Sequence, residues 1–513
     1  MPSVLARVVT FAIDGIDPRP VWVEVDIRPG LPAFRIVGLA DAAVREARER
    51  VHSAILNSGF EFPARRITAN LAPAHLRKVG PGFDAALAVG ILAASGQCAG
   101  DALERWAVFG ELSLTGAVRV CRGVLAVAEG ARRAGVPGLI VARDRAGEAA
   151  LVDGLEIAGV EDLASIARLL DGGEIPPPPV PTPDAAGARC AASEPDLADV
   201  RGHELPLRAL EIAAAGGHNL LLEGPPGVGK TMLARRLPAL LPPLTRTEAL
   251  EVTRIHSVAG ISHADGLAAV RPFRAPHHTI SAAGLVGGGR PPAPGEATLA
   301  HNGVLFLDEL SEFSRASLEA LRQPIEDGEI AIVRGQQALR FPTRFTLVAA
   351  TNPCPCGFAG SDRPCRCGES ELARHRRRLS GPLLDRVDLL VTVARPSAAA
   401  LAGAPGTSSA AVRGRVLAAR ERQHARLAGT AAHTNAQLDA RLLRAHARIG
   451  GQARRALAEA YERGGLSARG HDRVLRVART IADLAGREAV ALDDVLRALA
   501  LRTLEGADEA VAA

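Results

Sequence analysis

The sequence predicts a multidomain α/β protein, and three observations carry that prediction. At 513 residues the chain is too long for one hydrophobic core and suits about three domains. Residues 218–234 read as a short apolar strand, a glycine-rich turn and the first turn of a helix, the pattern of a phosphate-binding loop on a parallel sheet. A proline run over 176–183 precedes that unit, and from about residue 413 to 505 the chain turns to Arg- and Ala-rich helices. The expected units are an α+β domain over 1–170, a semi-rigid Pro-rich linker over 171–197, a nucleotide-binding core over 198–396 and a helical domain over 397–513.

Composition bounds the class. With 47% hydrophobic and 23% charged residues the chain is expected to be a soluble globular protein. Its first ten residues lack a charged start followed by an apolar run, and the longest uncharged stretches, 85–100 and 396–412, are short or rich in Gly, Ser and Pro. A cytoplasmic protein without a membrane span is therefore expected. Net charge is only +5, so local clusters must decide whether a polyanion is a partner. Lys78 and Lys230 are the only lysines among 61 basic residues, which leaves 61 − 2 = 59 arginines, a bias that a GC-rich genome explains for most of them. Seven cysteines, four of them within 354–367, do not resemble a secreted disulfide framework.

In the first domain, residues 4–13 and 20–27 alternate like half-buried strands, and 41–58 carries Val44, Val51 and Ile55 at helical spacing. Lys78-Val79-Gly80-Pro81-Gly82-Phe83-Asp84 precedes an apolar helix, and Gly110-Glu111-Leu112-Ser113-Leu114-Thr115-Gly116 precedes a second helix expected over 118–133. Both segments resemble the substructures that carry the Ser–Lys dyad of Lon-type proteases. Laid on that pattern, the nucleophile falls on Gly82 and the base on Leu125, neither of which can do the chemistry. A Lon-protease-like domain without peptidase activity is expected.

In the core, Gly224-Pro225-Pro226-Gly227-Val228-Gly229-Lys230-Thr231 has the chemistry of a nucleotide cradle. Glycines let consecutive N–H groups point at a phosphate chain, Lys230 supplies a cation, and the Thr231 hydroxyl suits Mg²⁺. Val304-Leu305-Phe306-Leu307-Asp308-Glu309 is an apolar strand ending in two acids, where a metal-holding Asp308 and a water-activating Glu309 belong. The strand 346–352 ends in Asn352, a side chain suited to orienting the attacking water. Seventy-seven residues lie between Lys230 and Asp308, more than one crossover needs, so an insertion is expected. It carries Arg271, Arg274 and Arg290, and a hairpin expected over 329–345 adds Arg334 and Arg340.

Cys354, Cys356, Cys365 and Cys367 give four thiols within fourteen residues, the span of a small thiolate knuckle, with tetrahedral Zn²⁺ as the natural guest. CxC pairs are less usual for zinc than CxxC, and four unligated cysteines are the alternative. The basic run 374–378 that follows suits a solvated face as well as a site. Leu466-Ser467-Ala468-Arg469 opens a helix expected to end near Leu484.

These residues together resemble one family over nearly the whole chain, the bacterial ComM/YifB proteins, magnesium-chelatase-like AAA+ ATPases. The Arg-Pro-Phe-Arg-Ala-Pro-His-His run at 271–278 and the segment 303–310 are its most specific marks. The resemblance implies Walker A at 224–231, Walker B at Asp308-Glu309, sensor 1 at Asn352, an arginine finger at Arg386 and a sensor 2 arginine at Arg469. It also implies a helix-2 insert over 260–302, a pre-sensor-1 hairpin over 329–345 and a C-terminal helical lid. The chain departs from the family pattern around 80–86, where a Gly-Ser-x-Phe-Asp-Leu-Pro-like run is usual.

By the same resemblance the protein is expected to bind ATP and Mg²⁺, to form a homohexameric ring, and to act on branched or single-stranded DNA without reading sequence, as a branch-migration helicase in natural transformation. Two rivals remain open. One is a chelatase-type motor driving metal insertion through a partner; the other is an ATP-dependent chaperone or protease.

Overall fold

A computed structural model describes residues 5–39, 41–174, 177, 195–261, 266–289, 292–334, 337–379, 383–463 and 466–502. Most of the Pro-rich linker expected over 171–197 lies outside the described residues. No described helix is long and apolar enough to cross a membrane.

The N-terminal unit is built on a mixed seven-stranded sheet in the order Ala33–Val37, Arg66–Ala72, Asp17–Arg28, Leu5–Asp14, Trp106–Val108, Gly138–Ala142, Glu156–Val160. The alternation seen in 4–13 and 20–27 becomes an antiparallel pair in register from Leu5 opposite Asp26 to Asp14 opposite Asp17. Asp41 caps the helix Ala42–Asn57 by accepting from the Val44 N–H at 2.9 Å, as a short acidic side chain at that position should. The helix Asp84–Ala94 is apolar on every side and buried on every side.

The second helix is shorter than 118–133. Val118–Arg119 instead pairs antiparallel with Glu111–Leu112 across a turn in which Gly116 takes φ +88°, and the helix starts only at Val124. Where a Ser–Lys dyad would sit, a Cβ on Gly82 would lie 2.4 Å from the Phe109 ring, and Leu125 is sealed in the core. A side chain at the first position would have to displace the Phe109 ring, and a lysine at the second would lie in an apolar core.

The ATPase-like half rests on five parallel strands in the order Phe273–Arg274, Val304–Leu307, Thr346–Thr351, Leu220–Glu223, Leu389–Thr392. The strand leading to the glycine-rich turn lies inside the sheet, between the fourth and fifth strands of the chain. Ligands in open parallel sheets bind at the carboxyl ends of such strands. Apolar residues on both faces explain why these strands read as continuous hydrophobic runs.

The C-terminal helices are Ser409–Leu427, Ala440–His446, Gly451–Glu462, Ala468–Leu484 and Leu492–Ala500, and Ala468–Leu484 meets the sheet where its strands begin, at His218 and Asp388. One apolar core runs from Leu197 and Leu220 through Val416 and Val477 to Val495. At its base lies a buried polar net. His218 Nε2 and Thr480 Oγ1 are 2.8 Å apart, Asn435 donates to Thr480 and Asp483, and Arg426 and Arg479 both donate to Asp483, at 2.7 and 2.9 Å. Removing Asp483 would take the carboxylate partner from the buried Arg479 and the partly buried Arg426. Asp483→Ala should therefore lose about 3–5 kcal/mol in chemical denaturation, and a loss below about 1 kcal/mol would show that the net contributes little.

Candidate nucleotide-binding site and thiol cluster

Close approach forces two of the cradle's glycines. A Cβ on Gly224 would lie 2.3 Å from the Val393 carbonyl oxygen, and Gly229 takes φ +93° to start the helix Lys230–Ala234. Lys230 is buried, and its ammonium donates to the carbonyls of Gly224 (2.6 Å) and Pro225 (2.8 Å) and to Asn352 Oδ1 (3.0 Å). Burial lowers its pKa against the pull of Asp308, Glu223 and Glu309. The carbonyl oxygens occupy donor capacity that phosphate oxygens would take, so the cation is already held at the mouth of the turn.

Thr231 Oγ1 donates to Asp308 Oδ2 at 2.7 Å, which brings the two residues expected to hold Mg²⁺ into contact. Glu309 follows in a left-handed conformation, φ +52° and ψ +51°, unusual for a residue with a side chain. Its carboxylate is half exposed at the carboxyl edge of the sheet, 3.3 Å from His278 Nδ1. The sequence thus groups Gly224, Pro225, Pro226, Gly227, Val228, Gly229, Lys230, Thr231, Asp308, Glu309 and Asn352, and the fold gathers all of them at one sheet edge.

His278 was not among the expected site residues. It arrives because Phe273–Arg274 adds a fifth strand beside Val304–Leu307, with Phe273 stacked on Phe306 at 5.9 Å, and the chain then passes the acids. The only trace of it in the sequence is the His-His pair ending the 271–278 run.

Arg271 and Arg274, expected to meet phosphates, are each paired with an acid of this chain. Arg271 donates to the carbonyls of Pro242 and Asn302 and to Glu248, with 12% of its side chain exposed. Arg274 forms a two-pronged pair with Glu296 at 2.6 and 2.8 Å. Both hold the inserted loop together, and spacing alone could not reveal the acids that claim them. Arg290 lies outside the described residues, as does the side chain of Arg334. Arg340 is exposed on the hairpin strand Gln337–Pro342, paired across the hairpin with Glu329. The root of that hairpin packs Phe341 against Ile16 of the N-terminal unit and Ile255.

Arg386 and Arg469 lie away from this site. Asn219, just before the cradle strand, donates to the Arg386 carbonyl at 3.0 Å, and the Arg386 side chain is buried against Glu326. Arg469 is exposed at the head of the helix whose next turn places Arg473 3.4 Å from Asp388. Both therefore belong to the amino edge of the sheet. From Asn219 at that edge to Gly224 the chain runs across the four-residue strand Leu220–Glu223, about 16 Å at roughly 3.3 Å per residue step.

The four cysteines come together. Sγ atoms of Cys354, Cys356, Cys365 and Cys367 all lie within 4.8 Å of one another, with pairs at 3.3, 3.6 and 3.7 Å. A tetrahedron with metal–sulfur bonds of about 2.3 Å has edges of about 3.8 Å, so the cluster fits a thiolate-bound metal ion. The N–H groups of Cys356 and Ala359 donate to the sulfurs of Cys367 and Cys354, which orients the sulfurs and favours their thiolate form. The N–H groups of Arg366 and then Phe358 hold the Cys356 thiol down at about 6.

Comparison with known proteins finds matches over nearly the whole chain. Family profiles match in three parts: "Subunit ChlI of Mg-chelatase" over 23–145, "Magnesium chelatase, subunit ChlI" over 196–401, and the ChlI C-terminal profile over 406–502. The chain is 44% identical over 504 residues to the uncharacterized protein YifB of Escherichia coli, covering 98% of this chain and 97% of YifB. It is 42% identical over 504 residues to competence protein ComM of Haemophilus influenzae, covering 98% of each. A shorter likeness, 32% over 196 residues and 35% of this chain, covers 44% of the Holliday junction branch migration complex subunit RuvB of Paenarthrobacter aurescens.

Proposed function

This chain belongs to the ComM/YifB family of magnesium-chelatase-like proteins, and on that footing we propose that it is an ATP-hydrolysing ring motor that moves on DNA, a branch-migration helicase of the kind natural transformation would use. One observation carries the reading. Cradle, acids and Asn352 sit on one edge of the sheet while Arg386 and Arg469 sit on the other, so among the described residues neither of these two arginines is placed at the cradle of its own chain, where phosphoryl transfer would use one. A neighbouring copy would supply them, which makes a closed homo-oligomer, a hexamer by family, the working form.

In that ring Lys230 and the turn N–H groups bind the phosphates of ATP, and Glu309 orients and deprotonates the attacking water. Asn352 holds Lys230 in place. Thr231 and Asp308 are the residues that would hold a magnesium ion bound with the nucleotide, which would supply positive charge beside the phosphates. The cysteine cluster is read as a structural zinc site, and the N-terminal unit as a Lon-like domain without peptidase activity. The DNA part of the reading leans on the printed names of ComM and RuvB and on the exposed arginine of the hairpin.

The test is whether turnover rises with a four-way DNA junction, with an unfolded protein, or with neither. Junction stimulation is expected. The ChlI profiles favour a second reading, a motor driving metal insertion through a partner, and no stimulation by either ligand would point there.

The hairpin gives a finer expectation. Arg334→Ala with Arg340→Ala should weaken junction binding and flatten its log–log salt dependence by about two units, one per lost phosphate contact, with no change in sequence preference. Arg377→Ala with Arg378→Ala, exposed on the helix Glu369–Leu379, should leave both unchanged. Full affinity in the hairpin variant would move the DNA path elsewhere.

A further inference from the structure

The cysteine segment touches the nucleotide cradle at points that holding a metal does not require. Asn352, which accepts from the Lys230 ammonium, lies two residues before Cys354. Its own carbonyl is 2.9 Å from Nε2 of His375, a buried residue on the helix Glu369–Leu379 that starts two residues after Cys367. Asn352 is therefore gripped from the entry and from the exit of the cluster. Between Cys356 and Cys365 the chain turns at Gly357, with φ +85°, and a Cβ there would lie 2.7 Å from Cδ of Pro226 in the cradle. The segment rests directly on the phosphate turn.

We propose that the four thiolates bind a soft divalent cation, zinc by ligand chemistry, and that this metal braces the nucleotide cradle, so that its occupancy sets the affinity for ATP. The proposal rests on reading 224–231 as the ATP cradle. Residues 352–368 contribute only Cys354 to the buried apolar residues of the protein and consist largely of Pro, Gly, Ser, Asp and Arg. Such a segment cannot hold a shape by burial, and the free energy of thiolate–metal binding is what folds it. When the metal leaves, the cysteines no longer fix the span between Asn352 and His375, and the stop against Pro226 is lost. Lys230 then loses the acceptor that aims it, although every residue that would touch ATP is still present.

The experiment uses full-length protein purified under reducing conditions, with metal measured by mass spectrometry and binding measured with a fluorescent ATP analogue. About one zinc per chain is expected. Stripping it with a mercurial reagent, followed by thiol reductant and chelator, should weaken analogue binding at least tenfold, and added zinc should restore it. Hydrogen exchange should rise in 346–379 before it rises elsewhere. Two variants separate metal loading from bracing. Cys365→Ser, at an exposed ligand, should lose zinc and affinity together, whereas Gly357→Ala should keep zinc and still lose affinity, because its Cβ pushes on Pro226.

Stripped, folded protein with unchanged analogue affinity would overturn the brace and leave the ATP reading standing. Reduced protein that contains no zinc yet binds the analogue fully would overturn it as well. Zinc-loaded protein that binds no analogue would overturn both readings.

Discussion

Lys230→Ala should bind no nucleotide, while Glu309→Gln should bind ATP and leave it uncleaved, with turnover lower by about a hundred- to ten-thousand-fold. The contrast follows from what each side chain touches. Lys230 is the buried cation at the mouth of the turn, bonded to two cradle carbonyls and to Asn352, so its loss removes charge where phosphate charge must be met. Glu309 touches none of these groups. It stands beyond Asp308 with its carboxylate toward His278, and the glutamine variant keeps shape and loses only the proton acceptor. Equilibrium binding of a fluorescent ATP analogue together with steady-state phosphate release distinguishes the two. Normal turnover by Glu309→Gln would remove it from the role of base.

The second large effect is expected in mixtures. Arg386→Ala should bind ATP and lose hydrolysis by about a thousandfold or more, the usual weight of an arginine finger. Arg469→Ala should fall in the same direction. Neither variant should recover alone, yet mixing Arg386→Ala with Lys230→Ala should restore part of the turnover, because some interfaces then join an intact cradle to an intact arginine. Arg386 held beside Asn219 at the amino edge, about 16 Å of strand from its own cradle, is the reason to expect rescue. Mixtures that assemble and stay inactive would count against donation between copies. An Arg386 that acted within its own chain would also give no rescue.

Much of this arrangement was legible in the sequence because its chemistry is local. The cradle, the acid pair and Asn352 each lie on a continuous stretch, and parallel-sheet geometry then brings their ends together without further information. The hairpin Glu329–Arg334 with Gln337–Pro342 and the Ser467-capped helix were equally readable from turn and cap residues. What could not be read depends on partners distant in sequence. Arg271 and Arg274 looked like free charge until Glu248 and Glu296 were seen to claim them. His278 and His375 became site residues only when an added edge strand and a helix carried them to Glu309 and Asn352. The expected helix over 118–133 was shortened by a pairing with Glu111–Leu112 that no helical period reveals.

The core shared by the parallel sheet and the C-terminal helices has a mechanical consequence. Swinging those helices away would break the bonds from Thr480 to His218 and from Arg473 to Asp388, and would open an apolar seam running from Leu220 to Val495. Bending there would cost on the order of the stability of a small domain, which is comparable with or above what one turnover of ATP can deliver. Each subunit of the proposed ring therefore behaves as a stiff block from cradle to last helix. On that reading the stroke would arise at the joints between blocks, where an arginine from one copy would gain or lose its hold on the phosphates of the next.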